Sequence, residues 1–177
     1  MLEKFKTPII LALFISVIAA ICLLALVPPV SRDALIHHLA IPKLYLQQGN
    51  MYEIPELYFS YFPGNLNLLY LISLYFGNDI FPKFIHFTFA IITAAMIYHY
   101  LIRRLNSEYA LLGALFFISI PVIIRLSHTV YVDLGLICFL FASLLFITYW
   151  IENNFSLKYL VYSGIFCGLA LGSKYNG

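Results

Sequence analysis

The chain has 177 residues, of which 63% are hydrophobic and 10% charged, with a formal net charge of +2 and a mean hydropathy of +0.93. A soluble domain carries about 25% charged residues, so this chain has too little polar surface to coat a water-soluble globule, and its pattern predicts an all-α, multi-pass transmembrane helical bundle. The small net charge excludes the basic footprint of a nucleic-acid-binding protein, and Cys22, Cys138 and Cys167 all fall in apolar runs, as small buried hydrophobes rather than a disulfide framework.

The first predicted span, 8–27, has no charge. At about 1.5 Å per residue it covers about 30 Å, the thickness of the hydrocarbon core. Lys4 and Lys6 precede it. Its length favours a retained signal-anchor over a cleaved signal peptide, whose apolar region runs about 7–15 residues.

Residues 28–79 are expected to form a long extracytoplasmic loop carrying interfacial helices. It opens with SRDALIHHLAIPKLYLQQG, from Ser31 to Gly49. Ser31 is placed to cap a helix, and Asp33 lies in its first turn, where a carboxylate suits the helix dipole. Asp33 reads equally as that stabiliser and as a functional acid at the mouth of a span. Pro42 is expected to break or kink the helix after Ile41, and Gly49-Asn50 to end a second short one. His37, four residues after Asp33, shares its helical face, either as half of a metal site or as an interfacial hydrogen-bonding group. His38 is expected to point elsewhere. The aromatic stretch MYEIPELYFSYFPGN fits a headgroup-level belt and, as a second reading, a stacking surface for sugar rings.

The apolar segment 65–77 is too short to cross a bilayer at helical rise and is predicted to lie at the interface or to dip in and return. Parity gives this weight. If the segment does not cross, two spans separate Asp33 from Asp133, and both face one side of the membrane.

Further spans are predicted at 80–102, closed by Arg103-Arg104, at 109–124 with Pro121 near its end, at 133–151, and at 158–173. A cytoplasmic N-terminus places Lys4, Lys6, Arg103, Arg104 and Lys158 inside and Arg32, Lys43, Lys83, Arg125 and Lys174 outside. That balance is even, so the N-in orientation rests on the first helix and the arginine pair. Between the third and fourth spans, IRLSHTVYVDLG holds Arg125, His128 and Asp133. A cation there suits a phosphate, and Asp133 either opens the fourth span as a simple cap or belongs to a site with Asp33. The last run is short and stops at SKYNG, and the chain is read as the N-terminal portion of a longer protein.

The order of HHLAIPKLYLQQG, YFSYFPGNLNLLYL, FPKFIHF, the closing RR, SIPVIIRLSHTVYVDLGLICFLFASL and GIFCGLALGSKYNG resembles the polytopic GT-C glycosyltransferases. More narrowly, it is similar to the family-39-like and RgtA/B/C/D-like enzymes and their protein-mannosyltransferase and aminoarabinose-transferase relatives. The resemblance implies a sugar delivered on a polyprenyl phosphate at the extracytoplasmic face of the cell membrane. The acceptor would be a glycan, a lipid or a protein. It implies Asp33 as general base and Asp133 as the second acidic residue, orienting the acceptor or helping to hold a divalent metal ion, for which Asp33 and His37 are the candidate ligands. Arg125, His128, Lys174 and His37 are the candidates for holding substrate and its phosphate. Two other classes stay open: a transporter or flippase-like protein, and a non-catalytic partner subunit.

Overall fold

The computed structural model describes residues 3–174, with side chains from residue 7 onward. The side chains of Lys4 and Lys6 and the closing Tyr175-Asn176-Gly177 lie outside the described residues. All the regular elements described are helical. Helices α1 (Glu3–Ala25), α4 (Phe81–Ile102) and α7 (Asp133–Glu152) are long and apolar enough to cross a membrane. Helix α8 (Leu157–Leu171) is apolar but shorter, at 15 residues.

The predicted span 109–124 is not one helix. It is α5 (Ser107–Ser119) and α6 (Pro121–Ser127), bent by 67°. Proline lacks the N–H that a continuing helix needs, and it pushes the preceding residue out of the helical region. Ile120 accordingly sits at φ −60°, ψ 126°.

Side-chain contacts fix which helix ends lie together. At one end Thr7 bonds Glu108 at 3.3 Å, and Arg104 at the close of α4 pairs with Glu152 at the close of α7. At the other end the Lys83 ammonium bonds the Val27 carbonyl, and Lys174 meets Asp133. Helices α1 and α8 therefore run one way and α4 and α7 the other, with α5–α6 making the return between α4 and α7. Everything from 28 to 79, the start of α7 and the residues after α8 gather at the second end.

The bundle core is apolar, with Ile21, Phe87, Ala90, Ile118, Ile123 and Leu134 closed from solvent. Large apolar side chains such as Leu23, Phe116 and Leu144 stay exposed on the outside, as a hydrocarbon-facing surface requires. Reciprocal bonds between Ser143 and Ser163, at 3.0–3.1 Å, tie α7 to α8. Such bonds are a common means of helix association in lipid. Cys138 is buried and Cys22 half-buried, but Cys167 is exposed, on a face of α8 not covered by the described residues.

A second core holds the cap over the bundle end: Ala34, Leu39, Tyr70, Leu74 and Val130. Here two expectations fail. Ser31 stands just before the first helical residue and its carbonyl accepts the Leu35 N–H at 3.1 Å, but its hydroxyl does not cap a helix; it bonds the Tyr131 hydroxyl at 2.7 Å. Pro42 does not break one either. A π-helical turn, Ala34–Leu39, runs straight into α2 (Ala40–Gln48). The wider turn lies just before Pro42, where proline removes a hydrogen bond and crowds the carbonyl four residues back. The stop at Gly49 is as expected: its φ is +76°, and its N–H bonds the Tyr45 carbonyl at 2.9 Å.

Segment 65–77 forms α3 (Asn65–Tyr75), whose 11 residues cover about 16 Å at about 1.5 Å each, well short of a span. Leu66, Tyr70, Ser73 and Leu74 face inward. The turn that follows needs Gly77, at φ +69°. Asn78 then accepts the N–H groups of Ile80 and Phe81 at 2.9 and 2.8 Å and so starts α4. Beyond α3, Gly135 of α7 packs so closely on Leu66 that a Cβ there would lie 2.3 Å from the leucine methyl. The missing side chain lets α7 approach α3 next to Asp133.

Candidate functional site

The gathered end encloses a cavity of about 400 Å³. Asp33, His37 and His38 reach it from the first turns of the cap. Phe59 comes from the short 3₁₀ turn Tyr58–Tyr61, and Asn67 from α3. Tyr131 and Asp133 enter from the α6–α7 connection, and Lys174 from the residues after α8. Asp33 and Asp133, a hundred residues apart in sequence, line one space.

Asp133 is the first residue of α7, but its carboxylate is not spent on capping: Oδ1 accepts from Lys174 Nζ at 2.6 Å. Both partners are partly open, so the pair is read as an arrangement of charge rather than as a store of stability. Among the described residues lining the cavity, Lys174 is the only lysine or arginine.

The connection that carries Asp133 is held on both sides. The Tyr70 hydroxyl donates to the Tyr131 carbonyl. Burial pushes the Tyr70 hydroxyl's pKa up, which keeps it a donor. His86 is fully buried. Its Nε2 accepts the Leu134 N–H at 3.0 Å, and its Nδ1 faces the carbonyls of Leu126 and Thr129 at 3.1 and 3.0 Å. An imidazole that accepts at one nitrogen and donates at the other is the neutral Nδ1–H tautomer. His86→Leu leaves the buried Leu134 N–H without its acceptor and the Thr129 carbonyl without its donor, while the Leu126 carbonyl keeps the Thr129 N–H and hydroxyl. The expected cost is on the order of 1–3 kcal/mol, read as a lower thermal midpoint of the detergent-solubilised protein.

The two neighbouring histidines differ. His37 lies with its ring centroid 3.6 Å from that of Phe59. Its Nδ1 is the one buried side-chain nitrogen or oxygen without a hydrogen-bond partner among the described residues. His38 donates from Nδ1 to Asn67 Oδ1 at 2.8 Å, and its ring meets Tyr131 edge-on. Desolvation holds both below the ordinary histidine pKa. For His38 the Asn67 bond, Asp133 and Asp33 oppose the shift and His37 adds to it; for His37, Asp33 opposes it and Arg32 adds to it.

The sign of the pH effect follows. A histidine held below about 6.5 binds protons more readily unfolded than folded. Its contribution to stability is complete above about pH 6.5 and is lost as pH falls through the lower folded-state value. The thermal midpoint in detergent is therefore expected to drop on acidification from about pH 7 to about pH 5, and His38→Gln to flatten part of that slope.

Two of the residues expected at the site lie elsewhere. Arg125 is exposed on α6. His128 lines a separate cavity of about 260 Å³ with Lys83 and Val27. The bend at Pro121 is the physical cause, because it turns α6 off the axis of α5. Conversely His38, read as pointing elsewhere, lines the cavity beside His37. The π-helical turn has more residues per turn than the regular helix assumed for that segment, so successive side chains separate less. Phe59 belongs to the aromatic stretch read as a belt or a sugar-stacking surface, whereas Asn67 and Tyr131 carried no sequence signal beyond being polar or aromatic groups near apolar helices.

Asp33 and His37 both border the cavity, but among the described residues no three His, Cys, Asp or Glu side chains cluster as a metal site would need.

The sequence profile of the dolichyl-phosphate-mannose-protein mannosyltransferase family matches residues 66–177. The matched stretch contains Asn67, Asp133 and Lys174; Asp33, His37 and His38 precede it. No curated protein and no solved structure matches the chain.

Proposed function

Since the chain belongs to the dolichyl-phosphate-mannose-protein mannosyltransferase family, we propose that its cavity is the site of an inverting glycosyl transfer at the membrane edge. The donor is a sugar on a polyprenyl phosphate, and the acceptor a hydroxyl or amine of a glycan, lipid or protein. The protein lies in the cell membrane, with its N-terminus cytoplasmic and the site extracytoplasmic.

One observation carries this reading. Asp33, Asp133 and Lys174, from three distant parts of the chain, open on a single cavity at the end of the bundle. A lipid-borne phosphate sits at that depth, and a water-borne acceptor can reach it.

The chemistry then assigns roles. The acceptor oxygen loses its proton to the Asp33 carboxylate as it bonds the anomeric carbon. The bond from that carbon to the phosphate oxygen breaks, and its electron pair leaves with the polyprenyl phosphate. The departing phosphate is already an anion and needs a nearby positive charge rather than a proton. Lys174 supplies that charge, and Asp133 holds it in place. His37 borders the same space and binds substrate. The ionisable groups sit at helix ends rather than midway along spans, which favours transfer over an ion-coupled transporter.

The test is gene deletion followed by complementation with the natural full-length form, comparing surface glycans and glycolipids by mass spectrometry. One sugar mass is expected to vanish and return. An unchanged glycan profile, with a second polytopic protein co-purifying, would replace the transferase with a partner subunit.

A further inference from the structure

We infer that His38 is a substrate-binding residue of this site, its Nε2 accepting a hydrogen bond from a sugar or acceptor hydroxyl, with Asn67 as the residue that holds it in the accepting tautomer. The inference deepens the transferase reading and rests on it.

The hydrogen bonds fix the tautomer. Nδ1 of His38 lies 2.8 Å from Asn67 Oδ1. A carboxamide oxygen only accepts, so Nδ1 carries the hydrogen and Nε2 keeps its lone pair. Nε2 makes no hydrogen bond within the described residues, and it is not among the buried atoms without a partner, a group containing only His37 Nδ1. It is therefore open, and the space its ring lines is the cavity shared with Asp33, Asp133 and Lys174.

The setting fits a hydroxyl ligand. Burial disfavours the imidazolium, so near neutral pH the ring is an acceptor with no charge. It complements the carboxylate, which takes a proton, and the ammonium, which faces phosphate. Asn67 comes from α3, and the Tyr131 ring against which His38 rests comes from the α6–α7 connection. The ring is thus held from two sides, and a hydroxyl bonded to Nε2 would be fixed relative to both acidic residues. Sugars present many hydroxyls, and a site built to accept from one of them discriminates against analogues that lack it.

The experiment uses the full-length protein in its own membrane, with His38→Leu, His38→Gln and Asn67→Leu each replacing the wild type. The readouts are the sugar mass, the membrane level and the thermal midpoint in detergent. His38→Leu is expected to lower the sugar yield about tenfold, the worth of one well-placed hydrogen bond. His38→Gln, which can still present an acceptor oxygen, is expected to recover part of it at equal membrane level, a rescue that a packing role would not give. Asn67→Leu is expected to fall between them. A second readout needs no transfer and no substitution of His38. In ¹⁵N-histidine-labelled protein near neutral pH, His38 is expected to show a protonated Nδ1 and an unprotonated Nε2, and Asn67→Leu to mix the tautomers. A wild-type yield from His38→Leu, equal yields from His38→Leu and His38→Gln, or a protonated Nε2 would each overturn the inference about His38. Unchanged glycans on gene deletion would overturn the transferase reading instead, and the hydroxyl ligand with it.

Discussion

Replacing Asp33 with asparagine is expected to stop sugar transfer while the protein still inserts and folds. Asparagine has nearly the same shape and cannot take a proton at neutral pH. A general base contributes about 10²–10⁴-fold, so the yield of the transferred sugar should fall by about two orders of magnitude or more. The fold has little to lose. Asp33 is exposed, and its side chain makes no capping bond to the turn that follows it. The bland alternative for this residue, a carboxylate near a helix start, is worth about 0.3–1 kcal/mol, a loss that appears as a small change in thermal midpoint and not as a lost activity. The two roles therefore separate in one experiment. Complementation with Asp33→Asn at normal membrane level should leave the sugar mass absent. Full restoration would reduce Asp33 to a helix-end charge and move the base to another residue. This experiment bears unusual weight because Asp33 lies ahead of the segment the family profile covers.

The long spans were legible because hydropathy alone determines them. Uncharged runs as long as those behind α1, α4 and α7 cross hydrocarbon as helices, which satisfy their own backbone groups, and the charges that close them lie where expected: Arg103 follows α4, and Glu152 ends α7. Hydropathy does not register direction within a run. The 109–124 run scores as one span although Pro121 bends it by 67°, and only the tertiary packing shows how far α6 turns. Pro42 misled in the opposite sense. The local rule predicts a break or a kink; the helix does not break but distorts into a π-helical turn just before the proline, and the apolar contacts of Ala34 and Leu39 in the cap core hold that turn.

At the site, charge was more legible than shape. Two acidic residues at span ends are conspicuous in a chain with so few charges, and Asp33, Asp133 and Lys174 do line one cavity. The short α3 matters here: it folds onto the bundle end and supplies Asn67 to the same cavity. Neutral polar residues were not legible. His38 gains meaning only from Asn67, and Tyr131 only from Tyr70 and Ser31, pairs 29 to 100 residues apart. No local pattern announces a contact over such separations. Arg125 and His128 were candidates for the phosphate beside Lys174; neither lines the cavity, Arg125 being exposed on α6 and His128 lining a second cavity.

Lys174→Met is the second large effect expected. Methionine keeps the length and much of the apolar stem of lysine but has no charge. Among the described residues it leaves the cavity without a lysine or arginine, and with two carboxylates. If Lys174 stabilises the departing phosphate, its loss should resemble removal of one preorganised electrostatic contact, about 10²–10³ in rate. It also unpairs Asp133, whose Oδ1 accepts the lysine proton at 2.6 Å. Asp133→Asn separates these consequences. It keeps the ammonium, and an amide oxygen can still accept from it, so a milder loss is expected than for Lys174→Met. The order of sugar yields should be wild type, then Asp133→Asn, then Lys174→Met, at equal membrane levels. Should Asp133→Asn prove the more damaging, the carboxylate itself meets substrate, and the positive charge it neutralises is the lesser part of the site. The distinction bears on how the two halves of the site divide the work. In the first case Asp33 acts on the acceptor and Lys174 on the leaving group. In the second, both carboxylates face the acceptor, and the phosphate draws its stabilisation from groups other than Lys174.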